Sequence, residues 1–122
     1  MDLKKKLSNL PKTWLIDLDG TIIKHNSHLK GKNIILKKVK SFWKNIPSND
    51  KIVLLTAREK KYKKTTVNFL RENNLKFDHI IFDLNFGERI LLNDMKPDGL
   101  LTAYSYNLKR NEGLGDLIQI FK

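Results

Sequence analysis

One stretch constrains the chain more than any other: Trp14-Leu15-Ile16-Asp17-Leu18-Asp19-Gly20-Thr21. Its apolar start fits a covered, pleated surface and predicts a buried strand over Thr13 to Asp17. Gly20 then lets the backbone leave the strand at an angle that a side chain would resist. Asp17 and Asp19 are two apart, so in a strand their carboxylates point the same way. Like charges so placed repel unless a cation lies between them. Mg2+ suits that position, because it takes oxygen ligands and keeps sites for water and phosphate. Asp17 could then attack a phosphorus atom while the metal neutralises the charge on both sides. The plainer alternative is a polar turn after a strand, since Asp-Gly is a common turn signal.

The rest of the chain repeats the arrangement. Ile52-Val53-Leu54-Leu55 is a second continuous apolar run, followed by Thr56-Ala57-Arg58. Thr56 could donate a hydrogen bond to a phosphate oxygen, or cap the next helix, or both. Arg58 could hold a phosphate or a substrate carboxylate, or simply be solvated. Ile80-Ile81-Phe82 is a third run. Arg89-Ile90-Leu91-Leu92 reads as a fourth strand ending in Asn93-Asp94, and Thr102 to Asn107 as a fifth. Between these, the apolar positions Ile35, Leu36, Val39, Phe42, Trp43 and Ile46 have helical spacing over 34–46, and a second helix is expected over about 60–73. A short amphipathic helix over 114–121 closes the chain. Early strand–helix alternation argues for an α/β fold with a mainly parallel central sheet and helices on its faces. In such sheets the site lies beyond the carboxyl ends of the strands. Asp17, Asp19, Thr56 and Asp94 all fall at that kind of position, and this convergence points to an enzyme.

At 122 residues the chain is expected to form a single domain. Residues 1–12 read as a basic lead-in and residues 20–33 as a polar flap beside the site. His25 and His28 lie on that flap and read as exposed loop histidines, with a substrate contact or an acid as the sharper alternative. Cysteine is absent, which excludes disulfides, thiolate chemistry and Cys-based zinc sites. No apolar run is long enough to cross a membrane, and the N-terminus lacks a signal peptide's apolar core, so a cytoplasmic protein is expected. The formal net charge is +11. The lysines are spread along the chain and not interleaved with aromatics in one block, so they read as a solvated surface, with nucleic acid as the less favoured partner.

Asp17-Leu18-Asp19-Gly20-Thr21 resembles the first motif of the haloacid dehalogenase (HAD)-like phosphohydrolases. Leu54-Leu55-Thr56 is similar to their second motif and Leu91-Leu92-Asn93-Asp94 to their fourth, in matching order and over nearly the whole chain. The resemblance implies a three-layer Rossmann-like fold and Mg2+-dependent hydrolysis of a phosphomonoester through an aspartyl-phosphate. It implies Asp17 as nucleophile and Asp19 as general acid, then base. Thr56 and Gly20 would bind the phosphoryl group. Asp17, Asp19 (through its backbone carbonyl), Asp94 and Asn93 would hold Mg2+. Two departures stand out. The third-motif lysine is missing from Phe82 to Gly87, leaving Arg89 or Lys96 to supply the cation, and the usual acidic pair of the fourth motif is reduced to Asn93-Asp94. The gaps between motifs admit no large cap domain. The expected substrate is a sugar phosphate or a similar phosphorylated metabolite, with a homo-oligomer as one way to cover the open site. The alternatives are a binding or regulatory module that lost turnover and a phosphatase acting on nucleic-acid ends.

Overall fold

The computed structural model describes residues 7–121, so the first half of the basic lead-in lies outside the described residues. Three strands form a parallel sheet in the order β1-β2-β3: β1 is Thr13–Asp17, β2 is Lys51–Leu55 and β3 is His79–Ile81. The register aligns Asp17 with Leu55 and Leu55 with Ile81, so the three strands end in one row. That row sets the carboxyl edge at which Asp19 and Thr56 emerge.

The core follows the apolar runs. Ile16, Leu18, Ile52 and Leu54 are buried, as are Val39, Phe42 and Trp43 of helix α1 (Val39–Asn45) and Leu70 of helix α2 (Lys63–Glu72). An aromatic cluster packs α1 and the C-terminal segment against β1. Phe42 lies edge-on to Trp14 with ring centroids 5.7 Å apart, and Phe121 contacts both rings. Each such pair adds about 1 kcal/mol beyond area burial. The loop before β2 contributes a polar anchor. The buried carboxylate of Asp50 accepts from the Lys12 amide at 3.0 Å and from the Trp14 indole N–H at 2.9 Å, fixing the entry of β1.

Several elements differ from the sequence reading. The helix expected over 34–46 begins only at Val39, because residues 34–36 are committed elsewhere. The Ile34 carbonyl accepts from the Lys24 amide, and the Leu36 amide donates to the Ile22 carbonyl. These bonds close the base of the flap, and Lys38 turns the chain into α1 with a left-handed φ of 62°. The second helix starts as a 3-10 turn over Lys60–Tyr62, and the closing segment Gly115–Phe121 is 3-10 throughout.

The larger correction concerns the fourth and fifth strands. Neither Arg89–Leu92 nor Thr102–Asn107 is a strand, and the sheet has three strands among the described residues. The α/β class and parallel sheet hold, while among the described residues β1 pairs on one edge alone. The cause is a diversion after β3. Asp83 takes a left-handed φ of 59°, and the amides of Asp83 and Leu84 donate to the carbonyls of Arg58 and Thr56. The chain is thereby pinned across the end of β2. Residues 93–102 then close on themselves: the Lys96 amide donates to the Leu100 carbonyl, and the Asn93 side chain and Thr102 hydroxyl make the remaining bonds. Ile90 and Leu92 are left more than four-fifths exposed.

Candidate active site

The two aspartates of the first motif leave β1 into different surroundings. Asp17 ends the strand and is partly exposed. Its Oδ2 accepts from the Thr21 hydroxyl at 2.9 Å, and its Oδ1 lies 2.6 Å from Nη1 of Arg89. Asp19 sits deeper. Its Oδ2 accepts from the Thr56 hydroxyl at 2.9 Å, and its Oδ1 from Nε and Nη2 of Arg58 at 3.0 and 2.9 Å. The turn between them works as the glycine predicts. Gly20 has φ +89°, and a Cβ there would come within 3.3 Å of the Arg110 side chain. The Asn111 amide donates to the Gly20 carbonyl, and its side chain accepts from the His25 amide, so the C-terminal loop braces the turn.

Arg58 is neither solvated nor free to take a substrate. Its side chain is 1 % exposed and fully engaged. Beyond Asp19 it donates from Nη1 to the Thr66 hydroxyl at 2.8 Å and from Nη2 to Asn33 at 2.9 Å. Thr56 receives the Arg58 amide as well as donating to Asp19. Flap, β2 and α2 are thus tied to one carboxylate. A buried guanidinium requires this, because an unpaired buried charge is costly and a planar fork of donors satisfies several acceptors at once.

The flap histidines are not exposed loop residues. The His28 side chain is 10 % exposed, with Nδ1 3.9 Å from Asp19 Oδ1 and its ring edge-on to Tyr62 at 4.7 Å. Nδ1 of His28 and Nδ1 of His25 are buried and have no hydrogen-bond partner among the described residues. Burial pushes the His28 pKa down, and the nearby Arg58 charge lowers it further, against the opposing pull of Asp19.

Asp17 opens onto a cavity of about 810 Å³ between β1 and the segment after residue 88, with Trp14, Leu15, Thr21, Arg89, Asn93 and Lys96 in its wall. Both candidate cations therefore face this space, and Arg89 is the one bonded to Asp17. Asn93 shares the wall, where its amide bonds Thr102. Asp94 is exposed and follows no strand, and its backbone carbonyl accepts from the Thr102 hydroxyl. Among the described residues, no three His, Cys, Asp or Glu side chains come together as a metal-binding group. A cage of protein carboxylates does not fit. Asp17 fits as one ligand of an ion shared with a substrate phosphate, the way Mg2+ is commonly held.

Sequence reasoning missed Asn33 and Thr66, the two further acceptors of Arg58. Both are ordinary polar residues in a loop and a helix, and no local signal marks them.

The row of parallel strand ends with polar residues just beyond it defines an α/β protein of Rossmann-like class. No protein-family model matches the sequence, and no curated protein matches it significantly. Among solved structures, chains of a Pnkp1/Rnl/Hen1 RNA repair complex are similar in fold, with a TM-score of 0.51 and 24% identity over 70% of this chain. This chain spans 30% of one such chain and 34% of the other.

Proposed function

We propose that this chain is a phosphohydrolase that transfers a phosphoryl group from a phosphomonoester to Asp17 and then to water. The observation that carries the reading is the pairing of Asp17 with Arg89 at 2.6 Å on the wall of the large cavity. A nucleophilic carboxylate and a cation able to neutralise a phosphoryl oxygen occupy one opening, and Arg89 takes the place of the missing third-motif lysine. In the first step an Asp17 oxygen bonds phosphorus as the bond to the leaving oxygen breaks, and that oxygen takes a proton from Asp19. In the second, Asp19 takes a proton from water, the water oxygen bonds phosphorus, and the Asp17–phosphorus bond breaks to release phosphate. Thr56 and Arg58 orient the Asp19 carboxyl. Asp17 would hold Mg2+ together with the substrate phosphate, and the ion would offset negative charge at the phosphoryl group.

One observation favours a second reading, a module that binds a phosphorylated ligand without turnover. Arg58 and Thr56 occupy both oxygens of Asp19, which leaves neither free to meet a leaving group. Phosphate release from sugar phosphates, nucleotides and 3'-phosphorylated oligonucleotides, each with Mg2+ or EDTA and with Asp17→Asn, separates the two. The expected result is release that requires Mg2+ and disappears in Asp17→Asn. Ligand binding with no release above the Asp17→Asn background overturns the enzyme and leaves the module.

A further inference from the structure

Lysines that are scattered in sequence are gathered by the fold beside the site. The flap contributes the exposed Lys30 and Lys32, and the 3-10 turn before α2 and the first turn of α2 contribute Lys60, Lys61, Lys63 and Lys64, all exposed. These two segments abut. The Asn33 side chain accepts from buried Arg58, and Tyr62 packs on His28, whose Nδ1 is 3.9 Å from Asp19. Within 24–33 and 58–72 the acids are Glu59 and Glu72. Lys61 lies over the Tyr62 ring at 5.3 Å. A groove of about 410 Å³ runs between the segments, walled by Gly31, Lys32, Asn33, Thr65, Asn68 and Phe69, with Glu72 as its one acid.

We propose that this rim is a docking surface for a single-stranded nucleic acid whose phosphorylated end enters the Asp17 cavity. The inference rests on the phosphohydrolase reading and names its substrate class. Lys32 in the groove wall and the exposed lysines on the segments beside it would neutralise backbone phosphates. A half-buried tyrosine among them offers a face on which a base stacks. Amide and hydroxyl groups in the groove wall bond phosphate and sugar oxygens. An anionic membrane is the weaker fit, because the rim carries one exposed large apolar side chain, Leu29, while six such side chains lie at 86–101. A second lysine cluster, Lys37, Lys38, Lys40 and Lys44, surrounds α1, whose Phe42 and Trp43 are buried and unavailable for stacking. It supplies the control of equal charge.

The test is fluorescence anisotropy of a short labelled single-stranded oligonucleotide against the full chain carrying Asp17→Asn, at rising salt. Four neutralised phosphates predict a slope of log K against log salt of roughly −3. Replacing Lys60, Lys61, Lys63 and Lys64 with alanine should remove most of that slope, while replacing the four lysines around α1 leaves it, with circular dichroism showing both variants folded. Equal loss in the two variants, no loss in the first, or binding to phosphatidylserine vesicles in preference to the oligonucleotide overturns the proposal. The readout is binding alone, so its failure leaves the phosphohydrolase reading standing, and failure of turnover leaves this surface standing.

Discussion

Ile52-Val53-Leu54-Leu55 and Arg89-Ile90-Leu91-Leu92 are both short apolar runs followed by polar residues, yet one is the central strand and the other lies open. The first has a partner on each side and helices to cover it. Leu54 is fully buried. The second has no hydrogen-bonded neighbour strand among the described residues, and Leu92 is 88% exposed. An apolar run becomes a strand only when its backbone groups are paired and its side chains covered. The difference also divides the site. The two aspartates and Thr56 stand on the paired half, and Arg89, Asn93, Asp94 and Lys96 on the open one.

The comparison yields predictions in decreasing order of effect. Leu54→Ala should cost about 3 kcal/mol in urea unfolding, and Leu92→Ala less than about 0.5 kcal/mol. Equal losses would show that residues 89–92 are packed in solution, and the contrast would fall.

The two arginines sharpen the same division. Arg58→Ala leaves the Asp19 charge with the Thr56 hydroxyl as its hydrogen-bond donor and removes the guanidinium donor of Thr66 and Asn33, and should cost about 3 kcal/mol. Arg89→Ala breaks a pair whose side chains are 37% and 39% exposed, so its cost should stay below about 1 kcal/mol. Its loss should fall instead on phosphate release, by about 10²-fold, the scale for removing one donor to a transition-state oxygen. A variant stable as wild type and equally active would remove Arg89 from the site.

The smallest expected effect is a pH dependence carried by His28. Its folded-state pKa lies below 6.5, so the unfolded chain takes up the proton first. His28's share of the stability is complete above pH 6.5 and declines as pH falls through the folded-state pKa. His28→Asn should flatten that part of a stability–pH curve measured by urea midpoints. An unchanged slope would show that His28 is not held in this buried setting.

Much of the paired half was legible in the sequence. Trp14 to Ile16 and Ile52 to Leu55 announce strands by composition alone, and Gly20 announces the left-handed turn that it makes. Helical spacing over 34–46 was misleading at its start, because periodicity does not reveal that Ile34 and Leu36 serve the base of the flap. The strands expected after residue 88 were read from the same local pattern as β2, which says nothing about a partner.

What the sequence determined by itself is the alternation of apolar runs and polar ends, and hence the parallel α/β class with Asp17 and Asp19 at a strand terminus. These are properties of a few adjacent residues, set by steric preference and side-chain period. Only the tertiary structure decided that Arg58 is buried on Asp19, 39 positions away, that Arg89 reaches Asp17, and that the flap and the start of the second helix abut through Asn33–Arg58 and His28–Tyr62. The reason is physical. Whether a charge is buried or solvated depends on the partners that long-range folding brings to it, and no local rule sets those partners.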